Sequence, residues 1–233
     1  MFWTTGVALA EPAPGLAMLP APVSLAQEGP RPGPGLGPSK DNPSGEPIIL
    51  ILPAGYTLER IQGDSGDVPA RAGAFDLALV LKFDAASYQG QSDNRGACAS
   101  EEEWIGWLLP SHNDQAQNIW VPTIACRTDA GALMPLLDLP VPSGGQAEQG
   151  TATVAFSVGG YCVNLDRDPP EEGHSYEVGV SSDDRGLLTV LSMIVTKDLE
   201  DFGNISTIQD VIWDYTDFDG LPSENLARLA ALR

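Results

Sequence analysis

The sequence predicts an α+β protein: a β-rich sandwich or barrel followed by a small C-terminal helical subdomain. Its 25 glycines and 20 prolines in 233 residues break the chain too often for a helical bundle. In the best-patterned stretches between residues 48 and 162, apolar side chains recur every second residue, the period of a strand. Beyond Asp183 the interval becomes three and four, the period of a helix.

Residues 1–47 hold ten of the 20 prolines and no sustained periodicity. Gly29–Gly35 reads GPRPGPG, a composition unable to bury enough apolar surface to order itself. Met1–Ala10 and Val23–Ala26 each end in a small-residue sequence resembling a cleavage site, yet no Lys or Arg precedes Arg31. This is expected to be a degraded, truncated or mis-started export signal.

Folded structure is expected from Ile48, with a β-rich part over 48–150. Ile48–Leu52 is a short apolar run closed by Pro53. Phe75, Leu77, Leu79, Leu81 and Phe83 alternate with Asp76, Ala78, Val80 and Lys82, which predicts a half-buried strand with Asp76 and Lys82 outside. Trp104–Leu109 and Asn118–Ile124 are weaker strands, separated by a turn at 110–114. Leu133–Leu139 is ambiguous, and 140–150 reads as a loop.

Thr151–Cys162 is the clearest strand. Ala152, Val154, Phe156 and Val158 share one face, and the period runs on through Gly160 to Cys162. Without a bulge at Gly159-Gly160 the thiol points into the core, and the glycines admit a close neighbour. Leu187, Leu188, Leu191, Ile194 and Val195 then form a helical stripe with Asp183 or Asp184 as N-cap, a strand being the second choice. Ser206–Tyr215 is a helix whose apolar stripe is Ile208, Val211, Ile212 and Tyr215. Leu226, Leu229 and Ala230 suggest a third, which ends at Arg233 without a capping glycine, as though the chain continued.

Net charge is −20, with 32 acidic residues against 12 basic. That balance repels phosphate backbones and anionic lipid, which argues against nucleic acid and membrane surfaces as partners. A solvated acidic exterior is its ordinary meaning. No run is long and apolar enough to cross a bilayer, so no membrane insertion is expected. The three cysteines, Cys98, Cys126 and Cys162, fit no zinc spacing. Cys98 and Cys126, each in a polar, loop-like setting, are expected to form a disulfide and leave one thiol for another task. His112 and His174 have no partners at metal-ligand spacing, so neither metal nor cofactor is expected. No Gly-x-Ser-x-Gly elbow occurs. Asp214, Asp217 and Asp219 suggest a solvated acidic turn, without the twelfth-position Glu of a calcium loop. Of the three lysines, Lys82 is the one placed to donate an internal isopeptide bond.

Cys162 and Gln209 carry the chemistry. A thiol and a carboxamide can condense with loss of ammonia into a thioester, an acyl group stored for attack by an amine. Gln209 and Trp213 lie four apart on one helical face, where the indole can shield the acyl group from water. Burial would raise the Cys162 pKa, so a helix N-terminus at Ser206 or a donor such as Tyr161 or Tyr176 would have to assist. Each residue also has an ordinary reading. Ser206 and Gln209 form a capping-box pattern, and Cys162 suits a small buried hydrophobe at a strand end.

The segment from Tyr161-Cys162-Val163-Asn164-Leu165 through Pro169-Pro170-Glu171-Glu172-Gly173-His174-Ser175-Tyr176-Glu177 resembles the first motif of the thioester domains of Gram-positive surface adhesins. Ile208-Gln209-Asp210-Val211-Ile212-Trp213 resembles their second motif, with Val211 in place of Ala and Asn164 in place of Asp. The resemblance covers about residues 151–219 and makes 151–233 a part built from a cysteine strand and a glutamine helix. It implies a covalent Cys162–Gln209 pair supported by Tyr161, Tyr176 and Trp213. It also implies a secreted or cell-surface location, no enzymatic turnover, and a monomer that captures a lysine or other amine on a protein or surface ligand. The alternative is a non-covalent surface binding or structural module of the same fold.

Overall fold

The computed structural model describes residues 43–63, 73–142, 150–218 and 220–233. The leader as far as residue 42, the 143–149 part of the expected loop and Asp219 lie outside them.

The fold is α+β, as the pattern predicts. Among the described residues nine strands precede three helices: β1 (Gly45–Pro47), β2 (Tyr56–Gly63), β3 (Phe75–Asp84), β4 (Glu103–Leu109), β5 (Ile119–Arg127), β6 (Leu133–Pro135), β7 (Thr151–Cys162), β8 (Ser175–Tyr176) and β9 (Val180–Ser182), then α1 (Arg185–Ile194), α2 (Phe202–Asp217) and α3 (Ser223–Ala230). The strands form one antiparallel sheet in the order β1-β9-β4-β5-β7-β3-β2-β8, with β6 pairing β5. The sheet curls into a half-barrel. Its last strand, β8, returns toward the segment after β4, where Ser111 bridges Tyr176 and the Glu177 N–H bonds the Pro110 carbonyl at 2.9 Å.

Two apolar clusters divide the core, and the strand period divides them. Trp107, Leu109, Ile119, Val121, Val158 and Cys162 lie in the first, with Leu77, Leu79, Leu81 and Phe83 of β3. Leu108, Trp120, Tyr161 and Val163, the intervening residues, lie in the second with Leu187, Ile208, Val211, Ile212 and Tyr215 of the helices. Both faces of the sheet are therefore buried along β4, β5 and the end of β7. That explains why the first two read as unbroken apolar runs rather than alternations.

Several expectations are corrected. The sheet begins at Gly45, paired to Ser182, three residues before the expected start at Ile48. Ile48–Leu52 is not a strand: Ile48 makes one isolated bridge and 49–52 are coil. Pro47 and Pro53 flank it, and its polar groups go to the Gly179 and Leu133 carbonyls and the Asn94 side chain instead. β3 is more than half-buried: Lys82 is exposed, but Ala78 and Val80 are as buried as the expected inward face. An exposed Lys82 also lacks the enclosure an internal isopeptide bond needs. The 187–195 segment is the helix, not the strand, capped by Asp184, whose side chain accepts from the Gly186 and Leu187 N–H groups.

The Cys98–Cys126 disulfide is present, with Cα atoms 5.6 Å apart. It joins the residue after a short 3-10 turn (Arg95–Ala97) to β5. Cys126 is wholly buried in its strand rather than in a polar loop.

Candidate functional site

β7 reaches Cys162 without a bulge. It pairs β3 in unbroken register from Asp84↔Thr151 to Phe75↔Gly160, then hands over to β5 through Trp120↔Tyr161 and Ile119↔Cys162. Gly160 makes that handover possible. A Cβ there would sit 2.6 Å from Ile119 Cγ2 and 2.9 Å from the Trp120 carbonyl oxygen.

The Val163 N–H bonds the carbonyl of Asn118, the residue before β5, at 3.1 Å. By alternation the N–H and C=O of Cys162 point to the opposite edge, where β3 has ended. The Gln209 side chain fills this position. Its Oε1 accepts from the Cys162 N–H at 2.9 Å, and its Nε2 donates to the Cys162 carbonyl at 2.9 Å. The carboxamide thus stands in for a peptide group of the missing strand. Cys162 is completely buried and Gln209 is 4% exposed.

α2 supplies Gln209 because it runs beside the exit of β7. A second contact fixes its direction: Asp217 Oδ1 accepts from the Leu165 N–H at 3.3 Å. Eight helical residues rise about 12 Å, close to the ~10 Å spanned by three extended residues. Gln209, Trp213 and Asp217 fall at i, i+4 and i+8, so one stripe of α2 faces the cysteine strand. Ile208, Val211, Ile212 and Tyr215 bind the helix to the second cluster. Val211 is fully buried there.

The capping-box reading of Gln209 is overturned. α2 opens at Phe202, with Asp201 as N-cap accepting from the Asn204 N–H. Ser206 and Gln209 are interior residues, so Ser206 offers no helix N-terminus to the thiol. The acidic-turn reading of 214–217 is likewise corrected. Both Asp214 and Asp217 are helical; Asp214 meets Arg228 and Asn225 of α3, and buried Asp217 accepts from the Leu165 N–H beyond the end of β7.

The sulfur belongs to the inner cluster, together with Tyr176, and half-buried Trp213 packs against that cluster. Tyr161 is on the other side of the strand, in the second cluster beside Trp120, their ring centroids 6.2 Å apart. Cys162, Tyr176 and Trp213 thus belong to the first cluster and Gln209 is bonded to the Cys162 main chain, whereas Tyr161 turns toward the helices. Cys162 is the free cysteine, and burial pushes its thiol well above the ordinary range. Burial raises the Tyr161 phenol as well. The Tyr176 phenol is also raised, by burial first and then by the Cys162 sulfur, with a hydrogen bond to the Ser111 side chain working the other way.

Sequence reasoning missed Asn164 and Asn118 as positioning residues. Buried Asn164 accepts the Asn118 N–H at 2.7 Å, and Asn118 Oδ1 accepts the Ser111 N–H at 2.9 Å. The Asn-containing stretch was visible, but the residues that meet are 46 apart in sequence. A surface cavity of about 290 Å³ beside the middle of β5, lined by Trp104, Arg95 and Asp138 among others, includes none of the site residues. Among the described residues no three His, Cys, Asp or Glu side chains form a metal-binding group. No described helix is long and apolar enough to cross a membrane.

Comparison with family models, with curated proteins and with solved structures finds no match for this chain.

The arrangement has a definite chemical capacity. Were the Cys162 sulfur to attack the Gln209 side-chain carbon, negative charge would develop on Oε1. That oxygen already accepts the Cys162 N–H, a fixed donor in a dry site, where such a bond is worth most. The same pair of bonds fixes the carboxamide against the Cys162 main chain.

Proposed function

We propose that Cys162 and Gln209 form an internal thioester and that the protein is a secreted or surface-exposed bacterial adhesin-type domain capturing amines covalently. The observation that carries this reading is the two-bond seat of the Gln209 carboxamide on the Cys162 main chain. Forming the bond joins sulfur to the side-chain carbon and breaks the carbon–nitrogen bond. The thiol proton leaves with the nitrogen as ammonia. A lysine amine of a partner then attacks the same carbon, the sulfur departs, and the proton lost by the amine ends on Cys162. The product is an isopeptide bond to Gln209, formed once and not turned over.

Three features support the reading. The site is dry, which protects an activated acyl group. Trp213 is one helical turn from Gln209 and covers the inner cluster. The disulfide fits an oxidising compartment, which an exported protein meets.

A second reading has its own observation. The thiol is held protonated by burial, which suits a Gln209 seat that serves packing alone, in a non-covalent surface module of the same fold. Intact mass decides. The thioester protein weighs one ammonia less than its sequence, and methylamine adds to it at Gln209. Cys162→Ala shows neither change. Wild-type protein that retains the full mass and ignores methylamine has no thioester.

A further inference from the structure

We infer that the open edge of β7 takes an extended, basic segment of a partner protein as an added strand, with one apolar side chain of that segment in the cavity between β5 and β7. The inference does not depend on the thioester.

The edge follows from the hydrogen-bond parity of β7. The Ala85 N–H bonds the Gly150 carbonyl, and the ladder to β3 runs on in unbroken register to Phe75↔Gly160. In an antiparallel pair the bonded residues recur at every second position. Ala152, Val154, Phe156 and Val158 therefore give their main-chain groups to β3, and those of Thr151, Thr153 and Ala155 point the other way. The far end of the strand agrees, because Tyr161 and Val163 meet Trp120 and Asn118 on that same side. Yet among the described residues β5 pairs β7 only at Tyr161 and Cys162, and no other strand pairs that edge. Pro122 explains the parting. In the register of Trp120↔Tyr161 it would be the next bonded partner, opposite Gly159, and it has no N–H to give. β5 turns instead to β6, and the Ile124 carbonyl accepts the Leu136 N–H.

The split suits a strand. Thr151, Thr153 and Ala155 are exposed, and from Thr151 to Ser157 the edge has no charge, no proline and no bulge to blunt it. N–H and C=O groups presented at alternate residues are matched by another extended main chain. Every second side chain of an added strand turns inward beside Phe156, where the cavity of about 290 Å³ is lined by Pro122, Ile124, Leu137 and Phe156. Charge selects the partner. Arg95 at the cavity is paired with Glu102 at 3.4 Å, exposed Asp138 lines it too, and the chain carries −20. Basic residues flanking the apolar one are attracted, and a second copy of this acidic chain is repelled.

The test uses the full-length chain and a synthetic peptide of about nine residues, alternating Thr and Val about a central Phe, with Lys at both ends. Amide hydrogen exchange is read residue by residue. In the free protein Thr153 and Ala155 should exchange fast, and Val154 and Phe156 slowly. The peptide is expected to slow Thr153 and Ala155 by about tenfold or more and to leave Val154 and Phe156 unchanged. Thr153→Pro removes an edge donor without touching the ladder to β3, and should weaken binding roughly tenfold. Glu in place of the peptide's Lys residues should weaken it by a similar factor. If Thr153→Pro fails to fold, the wild-type exchange pattern alone decides. Edge amides already slow in the free protein overturn the inference, and so does protection that grows with protein concentration alone, which assigns the edge to a second copy. Failure of the Lys-ended peptide to protect Thr153 and Ala155 overturns it, as does equal protection by the Glu-ended one. Ammonia loss at Cys162 is read separately and is untouched by any of these results.

Discussion

Gln209 has a carboxamide, and its donor and acceptor are spaced like those of a peptide group. That is why one side chain can replace a strand residue at the open edge of β7. Its removal leaves the Cys162 N–H and C=O buried without partners, each worth about 1–3 kcal/mol when orphaned. Gln209→Ala is therefore expected to lower unfolding stability by about 2–4 kcal/mol, read as a urea midpoint shift on protein without the thioester. Cys162→Ala leaves the main-chain bonds intact and is expected to lose less than about 1.5 kcal/mol. Equal losses would show that the seat carries no weight. On the thioester reading both variants abolish ammonia loss, so chemistry and stability separate at these two residues. Gly160→Ala tests the same corner by steric means. Its Cβ meets backbone oxygen and two branched side chains under 3.0 Å, and an overpacking loss of about 1–3 kcal/mol is expected.

At the scale of elements, α2 is held in place by α1 as well as by β7. Asp184 Oδ1 caps α1 and also accepts the Tyr215 hydroxyl at 2.5 Å. Gly186 leaves room for that ring, since a Cβ there would lie 1.9 Å from it. Asp184→Ala removes a cap and a buried partner together, and a loss of about 2 kcal/mol is expected. Ammonia loss should survive it, because Gln209 keeps its own contacts; abolished ammonia loss in a folded variant would place the control of the site in α1. Legibility at this scale follows length and regularity. β7 spans twelve residues and α1 ten, enough for a period to show, so the cysteine strand and helical part were readable. β1, β8 and β9 have two or three residues and no period to read. β2 was missed although it has eight residues, because its register shifts between Leu58 and Arg60 and breaks the alternation. The start of α2 was missed because Gly203 and Phe202, which is 83% exposed, dilute the helical pattern after Asp201. Cys162 and Gln209 could be named from their motifs, but their meeting depends on β3 pairing no further along β7 than Gly160, opposite its first residue Phe75, which no local pattern states.

Across the whole molecule, the pH response follows from which groups are buried without charge. Cys162, Tyr161 and Tyr176 all ionise less readily in the folded protein, chiefly through burial. For such groups stability is fully present below the unfolded pKa. It declines as pH rises past that value, because the unfolded chain then releases protons the folded chain retains. The acid side runs the other way. Arg127 lowers the Glu46 pKa, and Ser87 lowers that of Asp84, so their contributions are lost as pH falls through the folded values. Both carboxylates are solvent-facing and screened, which keeps that loss small. Alkaline unfolding should therefore be the steeper limb, and its onset reports on whether Cys162 is a free thiol. In Gln209→Ala the thiol is free, and decline begins near the ordinary cysteine pKa of about 8.5. In Cys162→Ala it waits for the tyrosines near about pH 10. A sulfur locked in an acyl bond cannot titrate, so freshly prepared wild type should follow the Cys162→Ala curve and move to the earlier onset once hydrolysis frees the thiol. Thermal midpoints recorded across this range distinguish the outcomes. If wild type and Gln209→Ala trace one curve from the outset, the sulfur is a thiol in both proteins and the acyl bond is absent.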